Sequence, residues 1–309
     1  MTNSNVETEE TNAPAMAQPE PSTLSVSVIA GEESVPETVI DSARGWDFIN
    51  FRELWNYREL LVFLAIRDVK VRYKQTVLGA AWAVFQPVLM MTVFWLFLGK
   101  VAKLPTGSLP YPLFVYAGLL PWFLFSSSVT AAANSLLDSE RLITKIYFPR
   151  LAIPFAASGP ALVDFTVATV VLFGLMAFNG VAPGCSVALL PLAVGLIVLS
   201  ALGAGAFLAA LNVAYRDFRY VAPFLIQAWL FATPSIYLAT GSAEDLPEAV
   251  QWVMMANPMT GLIDFFRAAL FGAELPWKSL AVSAIVALVF FLLGCLYFRR
   301  VEDSFSDII

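Results

Sequence analysis

The sequence predicts an all-α, polytopic membrane protein with six transmembrane helices, and three observations predict it. Of 309 residues, 59% are hydrophobic and only 14% charged, with a mean hydropathy of +0.73. Soluble domains run at about 45–50% apolar and about 25% charged. Six apolar stretches approach the roughly 20 residues that a bilayer core requires, and Lys and Arg concentrate in alternate connections between them.

Residues 1–43 are rich in Thr, Ser, Pro and Glu, lack aromatics, and carry eight acids with no Lys or Arg. Such a segment buries too little apolar surface to offset its ordering entropy, so a disordered acidic tail is expected. It also lacks the basic and apolar regions of a signal peptide. The whole-chain net charge of −6 comes from this tail.

Segment 44–77 is expected to hold an amphipathic interface helix and a basic juxtamembrane stretch. Phe48, Phe51, Leu54, Trp55, Leu61 and Val62 recur at helical spacing from Trp46 to about Leu64, with Arg52, Glu53, Asn56 and Glu59 between them. Arg67, Lys70, Arg72 and Lys74 follow. The six-span domain then occupies 78–300, with spans near 78–99, 111–136, 151–178, 187–211, 220–240 and 277–298, before a short tail at 301–309. Between the last two spans, region 246–272 has two apolar pieces of about ten residues broken by Asn257-Pro258. Pieces that short predict a re-entrant helical pair.

Fourteen of the 18 Lys and Arg residues fall on one side of this topology. The positive-inside bias predicts that both termini face the cytoplasm of a multi-pass inner-membrane protein. Cys185 then falls outside and Cys295 near the inner end of the last span, so the two cannot pair.

Several chemistries are excluded. The chain has no histidine, hence no Ser-His-Asp or Cys-His pair and no His-ligated zinc. It has no P-loop signature. No catalytic residue and no metal site are expected. No Lys or Arg sits well inside a predicted span, which predicts that a buried ion pair is absent. Asp164 is the one mid-span acid; ionised at the bilayer centre it would cost about 2.5–3.5 kcal/mol, so it must face protein or water. The expected arrangement is an interior carboxyl bonded to hydroxyls such as Ser158 or Thr169; a proton or substrate site is the alternative.

Small residues at Ala201, Gly205 and Ala209, and at Ala152, Ala156 and Gly159, predict helix-packing faces. The aromatic load of 25 Phe, 8 Trp and 9 Tyr is heavy. Trp82, Phe85, Trp95, Trp122, Phe125 and Trp229 are candidate linings of a translocation path, since rings can stack on sugar faces; lipid contact is the plainer use of many of them. The inner loop 138–150 predicts a short amphipathic helix across the ends of two spans, a lever for a peripheral partner.

Arg67-Asp68 and Arg72-Tyr73-Lys74 run into Leu78-Gly79, Trp82 and Gln86-Pro87. Gly118-Leu119-Leu120-Pro121-Trp122, Asn134, the Tyr147-Phe148-Pro149-Arg150 ending, Tyr215-Arg216-Asp217, Asn257-Pro258 and Arg267 follow in order. Over roughly 47–300 the chain resembles an ABC-2 type permease of the branch that exports O-antigen, capsular or teichoic-acid-like polymers. The resemblance implies a homodimer with two copies of a nucleotide-binding ATPase subunit and a lipid-linked polysaccharide as cargo. ATP and Mg would be used by the partner, with no cofactor in this chain and no nucleic acid bound. It further implies that Asp138, Glu140, Arg141, Lys145, Tyr147, Phe148 and Arg150 form the coupling element, and that Asn257, Pro258, Asp264 and Arg267 belong to an outer gate. An ABC-2 exporter of lipids or drugs shares these features. A secondary transporter centred on Asp164 would need internal repeats or paired charges, and the sequence shows neither. A membrane-embedded transferase is disfavoured by the missing histidine.

Overall fold

A computed structural model describes residues 51–74, 79, 81–102, 109–143, 148–215, 217–233 and 256–302, with positions 252, 254 and 305. The expected acidic tail lies outside these residues. Every regular element among them is helical.

The segment expected to lie in the interface forms α1 (Phe51–Asn56) and α2 (Arg58–Tyr73), separated at Tyr57. Helix α2 continues well past the expected end near Leu64, because no Gly or Pro interrupts 58–73. The basic cluster is therefore its last two turns, where Lys70 and Arg72 complement the negative end of the helix dipole.

Helix α3 (Ala81–Phe94) passes into a π-helical stretch, Trp95–Val101. Helix α4 (Tyr111–Asp138) follows, then the single turn α5 (Glu140–Ile143). The third span is broken into α6 (Ala152–Ala156) and α7 (Gly159–Phe178), with Pro160 in the first turn of α7. A 3-10 turn, Cys185–Leu189, leads into α8 (Leu190–Ala214). Helix α9 (Phe218–Phe231), α10 (Pro258–Phe271) and α11 (Trp277–Glu302) complete the chain.

Five stretches are long and apolar enough to cross a bilayer: Ala81–Val101, Tyr111–Asp138, Ala152–Phe178, Cys185–Ala214 and Trp277–Glu302. Of the expected span at 220–240, the described part is the fourteen-residue α9. Of the expected re-entrant pair, the second member is α10, and most of the first lies outside the described residues. Cys185 is exposed, Cys295 is buried, and both are free thiols.

Helix α4 is the axis of the bundle. Its most apolar stretch is 78% buried against 11% for the span containing α3, and it packs on α3, α6, α7, α8, α9 and α10. Polar ties fix its neighbours: the Tyr116 hydroxyl donates to the Ala168 carbonyl at 3.2 Å, and Asn212 Nδ2 to the Ala133 carbonyl at 2.7 Å. In lipid, helices gain little from the hydrophobic effect on meeting each other, so close backbone packing has to hold them. The expected stripe Ala201, Gly205 and Ala209 serves this purpose: a Cβ on Gly205 would lie 2.6 Å from Ala132 Cβ. Closer still is the crossing of α8 and α11, where Gly203 lies against the Phe291 backbone and a Cβ on Gly294 would overlap the Gly203 carbonyl.

Helices α3 and α9 are peripheral. Helix α9 rests on Ala222, Ile226 and Leu230, while Tyr220, Phe224 and Phe231 remain exposed.

The Gly203–Gly294 crossing gives a direct expectation. Gly294→Ala should destabilise the detergent-solubilised protein by about 1–3 kcal/mol, the usual range for overpacking. Gly174, with nothing within 4 Å of a Cβ built on it, is the control. Equal thermal midpoints for Gly294→Ala and Gly174→Ala would show that the crossing does not carry the packing.

Candidate functional site

Helix α2 lies along α6 and the start of α7. The expected small-residue stripe makes this approach possible: a Cβ on Gly159 would come within 3.0 Å of Ala65 Cβ. The final turn of α2 is thereby brought beside the second turn of α7. Arg72 Nη2 pairs with Asp164 Oδ2 at 2.6 Å, and the Tyr73 hydroxyl donates to Asp164 Oδ1. The expected hydroxyl partners of Asp164 are therefore replaced by a guanidinium and a phenol from helix α2. Thr169 donates instead to the Phe165 carbonyl of its own helix. Burial, and then the Asp164 carboxylate, push the Tyr73 phenol up to about 12. A cation from outside the spans thus neutralises the acid inside one, which composition alone could not reveal.

Beside this cluster is a cavity of about 300 Å³, lined chiefly by Arg72, Trp82, Gln86, Phe123, Ser127 and Asp164. Of the six candidate path aromatics, Trp82 lines this cavity and the other five do not. Trp82 and Phe85 stand edge to face at 5.4 Å on the exposed side of α3. Trp122 and Phe125 are buried, and Phe125 meets Trp229 edge to face at 5.1 Å. Trp95 instead receives the Lys100 ammonium 4.4 Å from its ring centre.

Asn257 caps α10: its side-chain oxygen accepts from the Met259 amide at 3.0 Å, and Pro258 occupies the first turn. Its Nδ2 donates to Thr233 Oγ1 at 2.7 Å, fastening α10 to the end of α9. The break expected at Asn257-Pro258 is thus satisfied by protein groups. Helix α10 is not peripheral; Leu262, Ile263, Phe265, Phe266, Ala269 and Leu270 are fully buried in the main core. Arg267, in the region expected to be re-entrant rather than in a predicted span, is only 7% exposed. Asp264 Oδ1 is 4.0 Å from its Nη1, at the outer limit of an ion pair, and the guanidinium stacks 3.8 Å from the Phe114 ring centre.

At the basic end, Asp138 and Glu140 are exposed and border a cleft that also contains Arg67. Lys145 and Tyr147 lie outside the described residues, as does the side chain of Arg141. Two expected coupling residues turn inward. Phe148 is buried with Leu136, Ile153, Phe298 and Phe305. The Arg150 amide donates to Glu302 Oε1 at 3.1 Å, and its Nη1 donates to the Glu302 carbonyl. The apolar ring of Phe148 and the guanidinium of Arg150 both find partners on α11 and its end.

A family model for ABC-2 type transporters matches residues 59–271. The chain belongs to the ABC-2 type transporter family. It is 32% identical to the O-antigen export system permease protein RfbA of Myxococcus xanthus, over 83% of this chain and 97% of that one. It is 25% identical to the protein of that name from Klebsiella pneumoniae (81% and 95% covered), and 21% identical to the polysialic acid transport protein KpsM of Escherichia coli (78% and 93%).

In this ABC-2 chain, the sequence marks Arg72 and Tyr73 as family residues but gives them no partner. The signal that could have found it was the lone acid of the third span, which needed a cation that its own helix lacks. The cluster also has a pH signature. Tyr73 keeps its proton up to about 12 when docked, against 10.0 for a free phenol. Docking is therefore fully supported below pH 10 and weakens as pH rises through 10 towards 12, where only the undocked helix loses its proton. Spin labels on α2 and α7 should report a constant separation from pH 7 to 9 and a broader one at pH 11. Tyr73→Phe should remove the alkaline step; an identical step in that variant would show that another group causes it.

Proposed function

We propose that the chain is the permease subunit of an ATP-driven exporter of a lipid-linked polysaccharide across the cytoplasmic membrane. It would act as a homodimer with two copies of a separate nucleotide-binding subunit. The observation that carries this reading is the near full-length match to O-antigen export permeases, with 97% of the Myxococcus protein covered. Two structural features support it. The uncovered apolar faces of α3 and α9 suit contact with a second copy or with lipid. Exposed Asp138 and Glu140 sit at a corner that a peripheral subunit could engage.

Deletion of the gene should remove the polymer from the cell surface and cause its lipid-linked form to accumulate inside. Unchanged surface polymer, with a small molecule or lipid retained instead, would move the chain to another branch of the family.

The coupling role is tested separately. Replacing Arg141, Lys145 and Tyr147 together by alanine should leave membrane insertion intact but reduce export and the permease's stimulation of the ATPase. The magnitude expected from losing two or three interfacial contacts is about tenfold or more. Export at the wild-type rate would remove this loop from the coupling path.

A further inference from the structure

We propose that the cavity beside the Arg72–Asp164 pair binds an uncharged sugar residue of the exported polymer, an inference that rests on the polysaccharide reading above.

Charge balance selects the ligand class. The guanidinium of Arg72 and the carboxylate of Asp164 are in direct contact at 2.6 Å, so the polar end of the cavity has no net charge. A phosphate would meet a guanidinium already committed to a carboxylate, and would bring its own negative charge towards that carboxylate. A neutral hydroxyl-rich group meets neither obstacle. Guanidinium has five N–H donors and carboxylate about four lone-pair sites, so the pair keeps capacity for hydroxyls after its mutual bonds are made. The Gln86 amide and the Ser127 hydroxyl line the same space and can each donate and accept.

The other wall is aromatic. Trp82, 53% exposed, and Phe123 face the cavity. A ring beside hydrogen-bonding groups suits the two-sided character of a pyranose, which has an apolar face and a polar rim. The volume of about 300 Å³ is at the lower end of small-molecule sites, which suits one or two sugar residues. An acyl chain would gain from the aromatic wall but would have to desolvate the ion pair, Gln86 and Ser127 without replacing their hydrogen bonds. The cavity is thus a place where a polymer segment could pause next to the docking point of the interface helix.

The test uses the intact exporter in cells that make the polymer. A photo-reactive benzoylphenylalanine is placed at position 86, and the same group at position 178 serves as control; Phe178 is exposed at the other end of α7. Irradiation should give a ladder of polymer adducts at position 86 that is absent from cells unable to make the polymer. Trp82→Ala and Ser127→Phe should each lower adduct yield by about tenfold, the first by removing the stacking face and the second by filling the space. Trp82 is 53% exposed, and neither substituted residue is a member of the Arg72–Asp164 pair. The pocket assignment is overturned by phospholipid adducts alone, by equal polymer yield at position 178, or by no polymer adduct at 86 in cells whose surface polymer depends on this chain. If deletion of the chain leaves surface polymer unchanged, the polysaccharide reading and the pocket assignment fall together.

Discussion

Backbone-to-backbone packing around α4 is the constraint on which the rest of this structure depends. Lipid offers its helices apolar surroundings as good as their neighbours, so burying Leu or Val against another helix stabilises little. What remains is dispersion over closely fitted surfaces and a few polar ties in a medium that cannot replace them. The sequence meets this requirement with small residues at the crossings. Gly205 meets Ala132 where α8 crosses α4, and Gly203 faces Gly294 where α8 crosses α11. Once these three helices are locked, α7 and α10 have fixed grooves to occupy, and α3 and α9 are left on the outside.

The same medium dictates how charge is handled, and the chain uses two solutions. Asp164 is neutralised from outside its own helix, by the last turn of α2, whose position depends on the small-residue stripe of the third span. Arg267 is handled within the bundle, by the ring of Phe114 and by Asp264 one turn away on its own helix. The first solution makes the charge a fastening between two elements. The second places a buried cation where α10 meets α4. Both use aromatic or phenolic partners, which offer electrostatic contact while keeping an apolar outline.

A third linkage joins the basic ends of the bundle. Arg150 holds Glu302, and Phe148 is buried beside Phe298 and Phe305. The end of the loop after α5 is therefore continuous with the end of the last span, and displacement of one must be accommodated by the other. Asn257 plays the corresponding part between α9 and α10, where one side chain caps α10 and grips Thr233.

Much of this was legible in the sequence because it depends on properties local to the chain. Apolar run length located the crossing helices, small-residue spacing located the Gly205 face, and Asn257-Pro258 marked the start of α10. Each is a property of residues a few positions apart. The extension of α2 to Tyr73 is hidden in the sequence because the basic residues of its last turns resemble a juxtamembrane linker, although nothing in them breaks a helix. The partners of Asp164 were out of reach for a deeper reason: Tyr73 is 91 residues away. Which side chains meet across two helices is set by their crossing angle and rotation, and those depend on every other contact in the bundle. The same holds for Gly203 against Gly294 and for Arg150 on Glu302. The sequence by itself determined a helical membrane protein and its family; only the tertiary structure decided which charges meet, because registry between helices is a property of the whole packing.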